Sequence, residues 1–82
     1  VVVEPYLITL DSDSDRFPAF QHEGIELIYM LEGVLDYRHG EQRYLLEPGD
    51  SLLFDSDAPH GPEGLVELPA RYLLIITYPQ AR

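Results

Sequence analysis

Residues 22–61 read HEGIELIYMLEGVLDYRHGEQRYLLEPGDSLLFDSDAPHG. Glycine and proline interrupt this stretch at short intervals, and no part of it keeps the period of about 3.6 residues that an amphipathic helix requires. The apolar runs between the interruptions have the length and composition of β-strands. The stretch therefore predicts an all-β fold.

The same criteria divide the whole chain into short strands. The predicted strands cover residues 1–10, 25–32, 34–38, 42–47, 51–54, 65–68 and 71–78, with an irregular loop at residues 55–62. Between two of them, Glu47-Pro48-Gly49-Asp50 has proline and glycine at the central positions of a type II turn. Antiparallel strands of this number and length suit a small double-sheet jelly roll.

A hairpin is predicted after residue 38, with a two-residue loop that begins at His39. In that register Arg38 lies opposite Glu41, and Asp36 lies opposite Arg43. Both pairs carry opposite charges, which favours the register. His39 would then be an exposed turn residue.

Five residues of the central stretch stand at the spacing of two known motifs: His22, Glu26, Gly33, Gly49 and His60. They resemble the motifs of the cupin superfamily. The first motif reads roughly H-x-H, three or four residues, Glu, six residues and Gly; the second reads Gly, five residues, P-x-G, two residues, His, three residues and Asn. The resemblance covers residues 20–64 and implies the cupin jelly-roll barrel.

The chain departs from the motifs at four positions. Phe20 stands where the first histidine would be, Asp55 and Asp57 replace the proline and glycine of P-x-G, and Gly64 replaces the closing asparagine. The stretch is most similar to the small cupin domain that follows a helix-turn-helix domain in many XRE-type bacterial transcriptional regulators. This resemblance implies that residues 1–82 form a single cupin domain, excised from a longer chain with an N-terminal DNA-binding domain.

A metal site is the second implication of the resemblance. His22 and Glu26 would lie about 13 Å apart on one straight strand, but Gly24 can adopt a positive φ and reverse the chain between them. His22 would then end one strand and Glu26 would begin the next. With His60 from the second motif, the two imidazoles and the carboxylate form the facial triad of non-haem Fe(II) sites.

The implied cofactor is a divalent transition metal: iron, manganese, nickel or zinc. Two alternatives stay open for His22, Glu26 and His60. They could contact a ligand or support the structure without a metal, or have no functional role.

Composition limits the function. Fifteen acidic residues against five arginines and no lysine give a formal charge of −10, which repels a phosphate backbone, so this domain should not bind nucleic acid directly. The absence of lysine excludes Schiff-base chemistry, and the absence of cysteine excludes disulfides and zinc–thiolate sites. No apolar run reaches the roughly 20 residues of a membrane span, so a cytoplasmic protein is expected. The chain begins with Val1 and has Met30 as its only methionine, which indicates a piece of a longer protein.

The strand at residues 25–32 is apolar on both faces. If Glu26 points into the barrel, Ile28 and Met30 point in with it. The opposite row then points outward and consists of Ile25, Leu27, Tyr29 and Leu31. The strand at residues 71–78 repeats this pattern, whereas a sheet with one solvated face alternates apolar and polar residues. The sequence therefore predicts a homodimer that covers the outer face.

Three classes of function fit these observations. The first is a domain that senses a small-molecule ligand, with or without a metal, for a transcriptional regulator. The second is a metal-dependent cupin enzyme of the dioxygenase, epoxidase or isomerase type, and the third is a stand-alone binding or structural domain. The acidity, the missing start and the resemblance favour the sensor. Four tyrosines are candidates for lining a ligand cavity or for the core: Tyr29, Tyr37, Tyr44 and Tyr72.

Overall fold

The computed structural model describes residues 1–14 and 19–79, which form antiparallel β-strands and no helix. The strands are β1 (Val2–Leu10), β2 (Ile25–His39), β3 (Gln42–Leu46), β4 (Ser51–Asp55) and β5 (His60–Tyr78). The sheet order is β1-β5-β2-β3, and β4 also pairs with β2, at residues 25–29. The predicted all-β fold is confirmed.

β2 and β5 are longer than predicted because each bends where the sequence indicates an end. The first part of β2 pairs with β4 and its last part pairs with β3, while β5 follows it along both parts. Register shifts between residues 30 and 37 mark the bend. The separate strands predicted at residues 25–32 and 34–38 are therefore one strand, and so are those at residues 65–68 and 71–78.

Gly33 lies at this bend and has a φ of 79°. A Cβ atom at this position would overlap the carbonyl oxygen of Pro69 and would lie 2.6 Å from Cα of Ala70. Only glycine allows both the conformation and the close approach to β5.

The bend brings the two halves of the sheet face to face, and the core lies between them. As predicted, Glu26, Ile28 and Met30 share the inner face of β2 and are buried. The second half of β2 adds Leu35 and Tyr37 to the same core. The remaining core residues are Leu10, Leu46, Phe54, Ala70 and Tyr72.

The β2–β3 hairpin was predicted in the right place with the wrong register. His39 pairs with Gln42, so the two-residue loop consists of Gly40 and Glu41. Gly40 has a φ of 62°, and Glu41 has a negative φ. This pattern matches a type II′ turn, which requires glycine at its first central position rather than its second.

The register error changes the predicted charge pairs. Arg38 lies opposite Arg43 rather than Glu41, and Asp36 lies opposite Leu45. The Arg43 guanidinium still reaches Asp36 diagonally at 3.7 Å, and it contacts Glu63 at 3.1 Å. Both contacts are solvent-exposed and contribute little to stability.

The turn before β4 agrees with the prediction. The Asp50 N–H donates to the carbonyl oxygen of Glu47 at 2.9 Å, and Gly49 has a φ of 92°. A positive φ at the third residue is the defining feature of a type II turn.

Candidate metal centre

Three separate parts of the chain bring the predicted ligands together. His22 lies in the segment before β2, Glu26 is the second residue of β2, and His60 is the first residue of β5. Two details of the prediction are wrong: His22 does not end a strand, and His60 begins a strand instead of lying in a loop. The segment that carries His22 approaches β5 through Phe20, whose backbone forms an isolated bridge with His60.

One carboxylate oxygen is the centre of the cluster. Glu26 Oε2 lies 2.9 Å from His22 Nε2 and 2.6 Å from His60 Nε2. One ligand atom from each of the three residues lies within 4.8 Å of the others. Within residues 1–14 and 19–79, no other group of three or more histidine, aspartate or glutamate side chains has a comparable arrangement.

Gly24 allows the chain to turn between His22 and Glu26. Its φ is 127°, and a Cβ atom there would overlap the carbonyl oxygen of Thr77 on β5. The positive φ expected from the sequence is therefore present. It returns His22 to the same end of the barrel as Glu26, where a straight strand would separate them.

Backbone carbonyls determine which imidazole nitrogens face the carboxylate. The Nδ1–H of His60 donates to the carbonyl oxygen of Ala58 at 2.9 Å, and that of His22 donates to Glu23 at 3.1 Å. In a neutral imidazole each Nε2 then carries a lone pair directed at Glu26. Two lone pairs and a carboxylate oxygen require a cation between them, which is a proton or a metal ion.

At this cluster, burial and hydrogen bonding shift the pKa values in opposite directions. Burial acts to raise the pKa of Glu26, which is 3% exposed, but hydrogen bonds from His60 and Ser56 and the nearby imidazoles outweigh it and lower the pKa. Burial likewise acts to lower the pKa of His60, and the contacts with Glu26 and Ala58 outweigh it and raise the pKa. Both shifts favour an imidazolium–carboxylate pair in the metal-free protein.

Ser56 belongs to the centre and was missed in the sequence. Its side chain is fully buried, and its Oγ–H donates to Glu26 Oε2 at 2.8 Å. Thirty residues separate the two partners along the chain, so no local pattern could have indicated the contact. The only sequence signal is its place inside the second motif, between Asp55 and Asp57.

Aromatic side chains surround the two histidines. The ring centroid of Phe54 lies 5.0 Å from that of His60, and Phe20 lies 6.4 Å from it. On the other side, Tyr78 lies 5.6 Å from His22. Phe20, at the position of the missing motif histidine, thus contributes an apolar ring beside the centre and no ligand atom.

Two of the four candidate tyrosines are buried near the centre. Tyr37 and Tyr72 belong to the core, whereas Tyr29 and Tyr44 are exposed. Burial, followed by the charge of Glu26, raises the pKa of Tyr72 to about 12. Burial raises the pKa of Tyr37 as well. Both phenols therefore remain neutral in the physiological range.

His39 is not the exposed turn residue that was predicted. It ends β2, is half-buried, and packs its ring 5.1 Å from that of Phe54. Its Nε2–H donates to the carbonyl oxygen of Asp55 at 2.8 Å. His39 supports the loop after β4 but does not reach Glu26.

An open groove of about 440 Å³ lies next to the centre on the outer side of the barrel. It is lined by Glu23, Gly24, Ile25, Leu53, Phe54, Asp55, Asp57 and Pro79. None of the three clustered ligands lines it. Phe54 lines the groove and also packs against His60, so the groove adjoins the cluster without including its ligands.

Comparison with known proteins identifies the family. The family model described as Cupin domain matches residues 6–76, and the chain belongs to this family. No curated protein matches the chain significantly. Among residues 1–14 and 19–79, the structure contains no helix with the length and apolar character needed to cross a membrane.

Solved structures with the same fold include regulators and an enzyme. An HTH_3 family transcriptional regulator from Vibrio cholerae is 33% identical, with a TM-score of 0.78 over 95% of this chain and 44% of that one. The Cupin_2 domain of an XRE family transcriptional regulator from Enterobacter cloacae is 22% identical, with a TM-score of 0.81 over 95% and 83%. Hydroxypropylphosphonic acid epoxidase from S. wedmorenis is 21% identical, with a TM-score of 0.71 over 93% and 43%. The chain thus spans less than half the length of the first and third of these proteins.

Proposed function

We propose that this cupin domain senses a small molecule for a bacterial transcriptional regulator and holds a divalent transition metal with His22, Glu26 and His60. The observation that carries the proposal is the convergence of both Nε2 atoms on one buried carboxylate oxygen. The regulatory role is supported by the likeness to the Vibrio cholerae regulator and to the cupin domain of the Enterobacter cloacae regulator.

The donor set fits a first-row metal ion. Nitrogen and oxygen ligands bind such ions at about 2.0–2.2 Å, which places neighbouring ligand atoms about 3 Å apart. The observed contacts of 2.9 and 2.6 Å are near that separation. Iron, manganese, nickel and zinc are all compatible with two imidazoles and a carboxylate. A bound metal would act as a Lewis acid toward an oxygen or nitrogen atom of the sensed molecule.

In the proposed regulator, DNA binding and ligand sensing belong to different domains. With a formal charge of −10, this domain would leave DNA binding to a separate N-terminal domain. The regulator would act in the cytoplasm, where the bacterial chromosome lies. The ligand would bias the regulator through a dimer of cupin domains.

A second copy of this chain is the partner that fits the outer face of the sheet. Paired residues of β1, β5, β2 and β4 form three rows across this face: Val3, Thr77, Ile25 and Asp55; Pro5, Ile75, Leu27 and Leu53; Leu7, Leu73, Tyr29 and Ser51. Asp55 is the only charged residue in these rows. Two strongly acidic copies repel each other, so a symmetric contact requires a surface almost free of acidic residues. We call these three rows the outer face.

An enzyme is the second candidate function, because the same triad occurs in metal-dependent oxygenases and the fold is shared with an epoxidase. The two functions differ in what happens to the ligand. A sensor releases its ligand unchanged, whereas an enzyme converts it. Mass spectrometry of a ligand recovered from the metal-loaded protein separates the two.

Metal titration tests the proposed centre. We expect wild type to bind one metal ion per chain when supplied with Mn²⁺, Fe²⁺, Ni²⁺ or Zn²⁺. We expect His60→Ala and Glu26→Gln to lose at least about tenfold in affinity, since residues 1–14 and 19–79 add no fourth histidine, aspartate or glutamate to the cluster. Glu41→Gln is the matched control, because it removes an exposed carboxylate that lies in the β2–β3 turn, outside the cluster. Equal metal content in all four proteins would refute the site.

A further inference from the structure

Ser56 is attached to the candidate centre by its backbone as well as by its side chain. Its N–H donates to the carbonyl oxygen of Gly24 at 2.9 Å, and its own carbonyl oxygen accepts from the N–H of His22 at 3.0 Å. The side chain has no exposed surface. These backbone bonds hold the Oγ atom beside Glu26 and leave it little freedom to move.

Ser56 lies in a loop that runs from Asp55, the last residue of β4, to Pro59. Hydrogen bonds join this loop to the segments around it. Each of its five consecutive carbonyl oxygens accepts a hydrogen bond from another part of the site. In chain order the donors are His39 Nε2 (2.8 Å), His22 N (3.0 Å), Gln21 Nε2 (2.6 Å), His60 Nδ1 (2.9 Å) and Gly40 N (2.7 Å). Because these bonds come from residues 21–22, residues 39–40 and His60, the loop is a fixed frame for the one hydroxyl that it directs at the carboxylate.

We propose that Ser56 is a positioning residue that orients the Glu26 carboxylate for metal binding. This inference rests on the proposed metal site and adds a residue that the cupin resemblance does not assign. The terminal torsion of a glutamate side chain has a broad, shallow minimum. The Ser56 hydroxyl restricts that torsion by donating to Oε2, the same oxygen that the imidazoles of His22 and His60 face.

The hydroxyl also suits the charge requirements of the site. It donates one hydrogen bond and adds no charge, so it stabilises the anionic carboxylate without competing with the cation for the second lone pair. An arginine or lysine in this place would neutralise the charge that attracts the metal. A residue without a donor would leave a buried carboxylate oxygen short of one hydrogen bond.

The test compares three serine variants. Ser56→Ala removes the donor, Ser56→Cys keeps nearly the same shape with a weaker donor, and Ser12→Ala changes an exposed serine in the turn after β1 as the matched control. We expect the affinity for Mn²⁺, measured by isothermal titration calorimetry, to fall about 10- to 100-fold in Ser56→Ala. We expect a smaller loss in Ser56→Cys and no loss in Ser12→Ala. Unchanged affinity in Ser56→Ala would overturn the inference.

Crystal structures of the metal-free proteins provide a readout that needs no metal. In Ser56→Ala we expect the Glu26 carboxylate to rotate away from the His60 imidazole, or to occupy two orientations, while the backbone of residues 55–59 stays in place. A single wild-type orientation in Ser56→Ala would refute the positioning role even if wild type binds no metal. Failure of wild type to bind metal, with a rotated carboxylate in the variant, would refute only the proposed metal function.

Discussion

At Glu26 a single oxygen atom accepts contacts from two imidazoles and one hydroxyl. All three contacts are 2.9 Å or shorter, and the carboxyl group is almost completely buried. A buried carboxylate is costly unless its neighbours supply hydrogen bonds and positive charge. His60 and Ser56 both supply hydrogen bonds, and His60 also supplies positive charge. These contacts explain why the pKa of Glu26 is lowered despite burial.

The opposite pKa shifts of Glu26 and His60 predict how pH affects the metal-free domain. The pKa of Glu26 is lowered, so its stabilising contribution is present above the ordinary value of 4.5 and is lost as pH falls through the folded value. The pKa of His60 is raised, so its contribution is complete below the ordinary value of 6.5 and is lost as pH rises through the folded value. The pair should therefore stabilise the fold most between pH 4.5 and 6.5.

Thermal unfolding of metal-free wild type and His60→Ala between about pH 4 and about pH 9 measures this effect. The difference in unfolding free energy between the two proteins should decrease on both sides of the window. The cavity left by the substitution contributes equally at every pH, so it does not affect how this difference changes with pH. A difference that stays the same at all pH values would show that the pair is not ionised in the folded state.

The bend in β2 depends on one glycine. Gly33 combines a positive φ with close contact to the backbone of β5. Gly49 also has a positive φ, but no atom lies within 4 Å of the place that a Cβ atom would occupy. A comparison of the two glycines therefore separates the cost of a positive φ from the cost of steric overlap.

Gly33→Ala should destabilise the domain much more than Gly49→Ala does. The unfavourable conformation alone costs about 1–3 kcal/mol in either variant. Gly33→Ala adds overlap with Pro69 and Ala70, which can be relieved only by moving β5. Urea denaturation followed by circular dichroism measures both free energies of unfolding. Equal losses would indicate that the bend tolerates a side chain.

Charge and apolar surface are distributed unequally over the molecule. The chain carries a formal charge of −10, yet the outer face has a single charged residue among its three rows. Leu53, at the edge of the outer face, is 69% exposed. A large apolar surface on a small domain is typical of an interaction site.

Leu53→Glu should therefore prevent dimer formation. The substitution places a charge in the outer face of each copy, where contact with the apolar rows of the partner would bury a carboxylate without a counter-charge. Leu45→Glu is the matched control, because Leu45 is similarly exposed on β3 and lies outside the outer face. Sedimentation velocity at micromolar concentration should give dimers for wild type and Leu45→Glu, and a 9.4 kDa monomer for Leu53→Glu. A monomeric wild type would contradict the dimer.

The charge also predicts how the isolated domain behaves toward nucleic acid. Binding to duplex DNA depends on neutralising phosphates with lysine and arginine, and this chain has five arginines and no lysine. We expect no mobility shift of duplex DNA by the 82-residue domain at physiological salt. A salt-sensitive shift would contradict the assignment of DNA binding to a separate domain.

Features that depend on neighbouring residues could be predicted from the sequence. Turn residues predicted the all-β fold and the type II turn at Gly49, and the parity of β2 predicted its inner row once Glu26 was taken to point inward. The spacing of His22, Glu26 and His60 indicated which side chains to consider together, and the family match confirms the cupin resemblance from which that spacing was interpreted. Whether the three residues bind a metal stays a prediction.

Features that depend on distant residues became evident only in the folded structure. The bend that joins two predicted strands into β2, and the pairing that places His60 at the start of β5, result from packing between the two halves of the sheet. The contact between Ser56 and Glu26 joins residues thirty positions apart. Each position along the chain carries only its own local preferences, and these do not specify which distant carboxylate a serine hydroxyl will meet when the barrel closes.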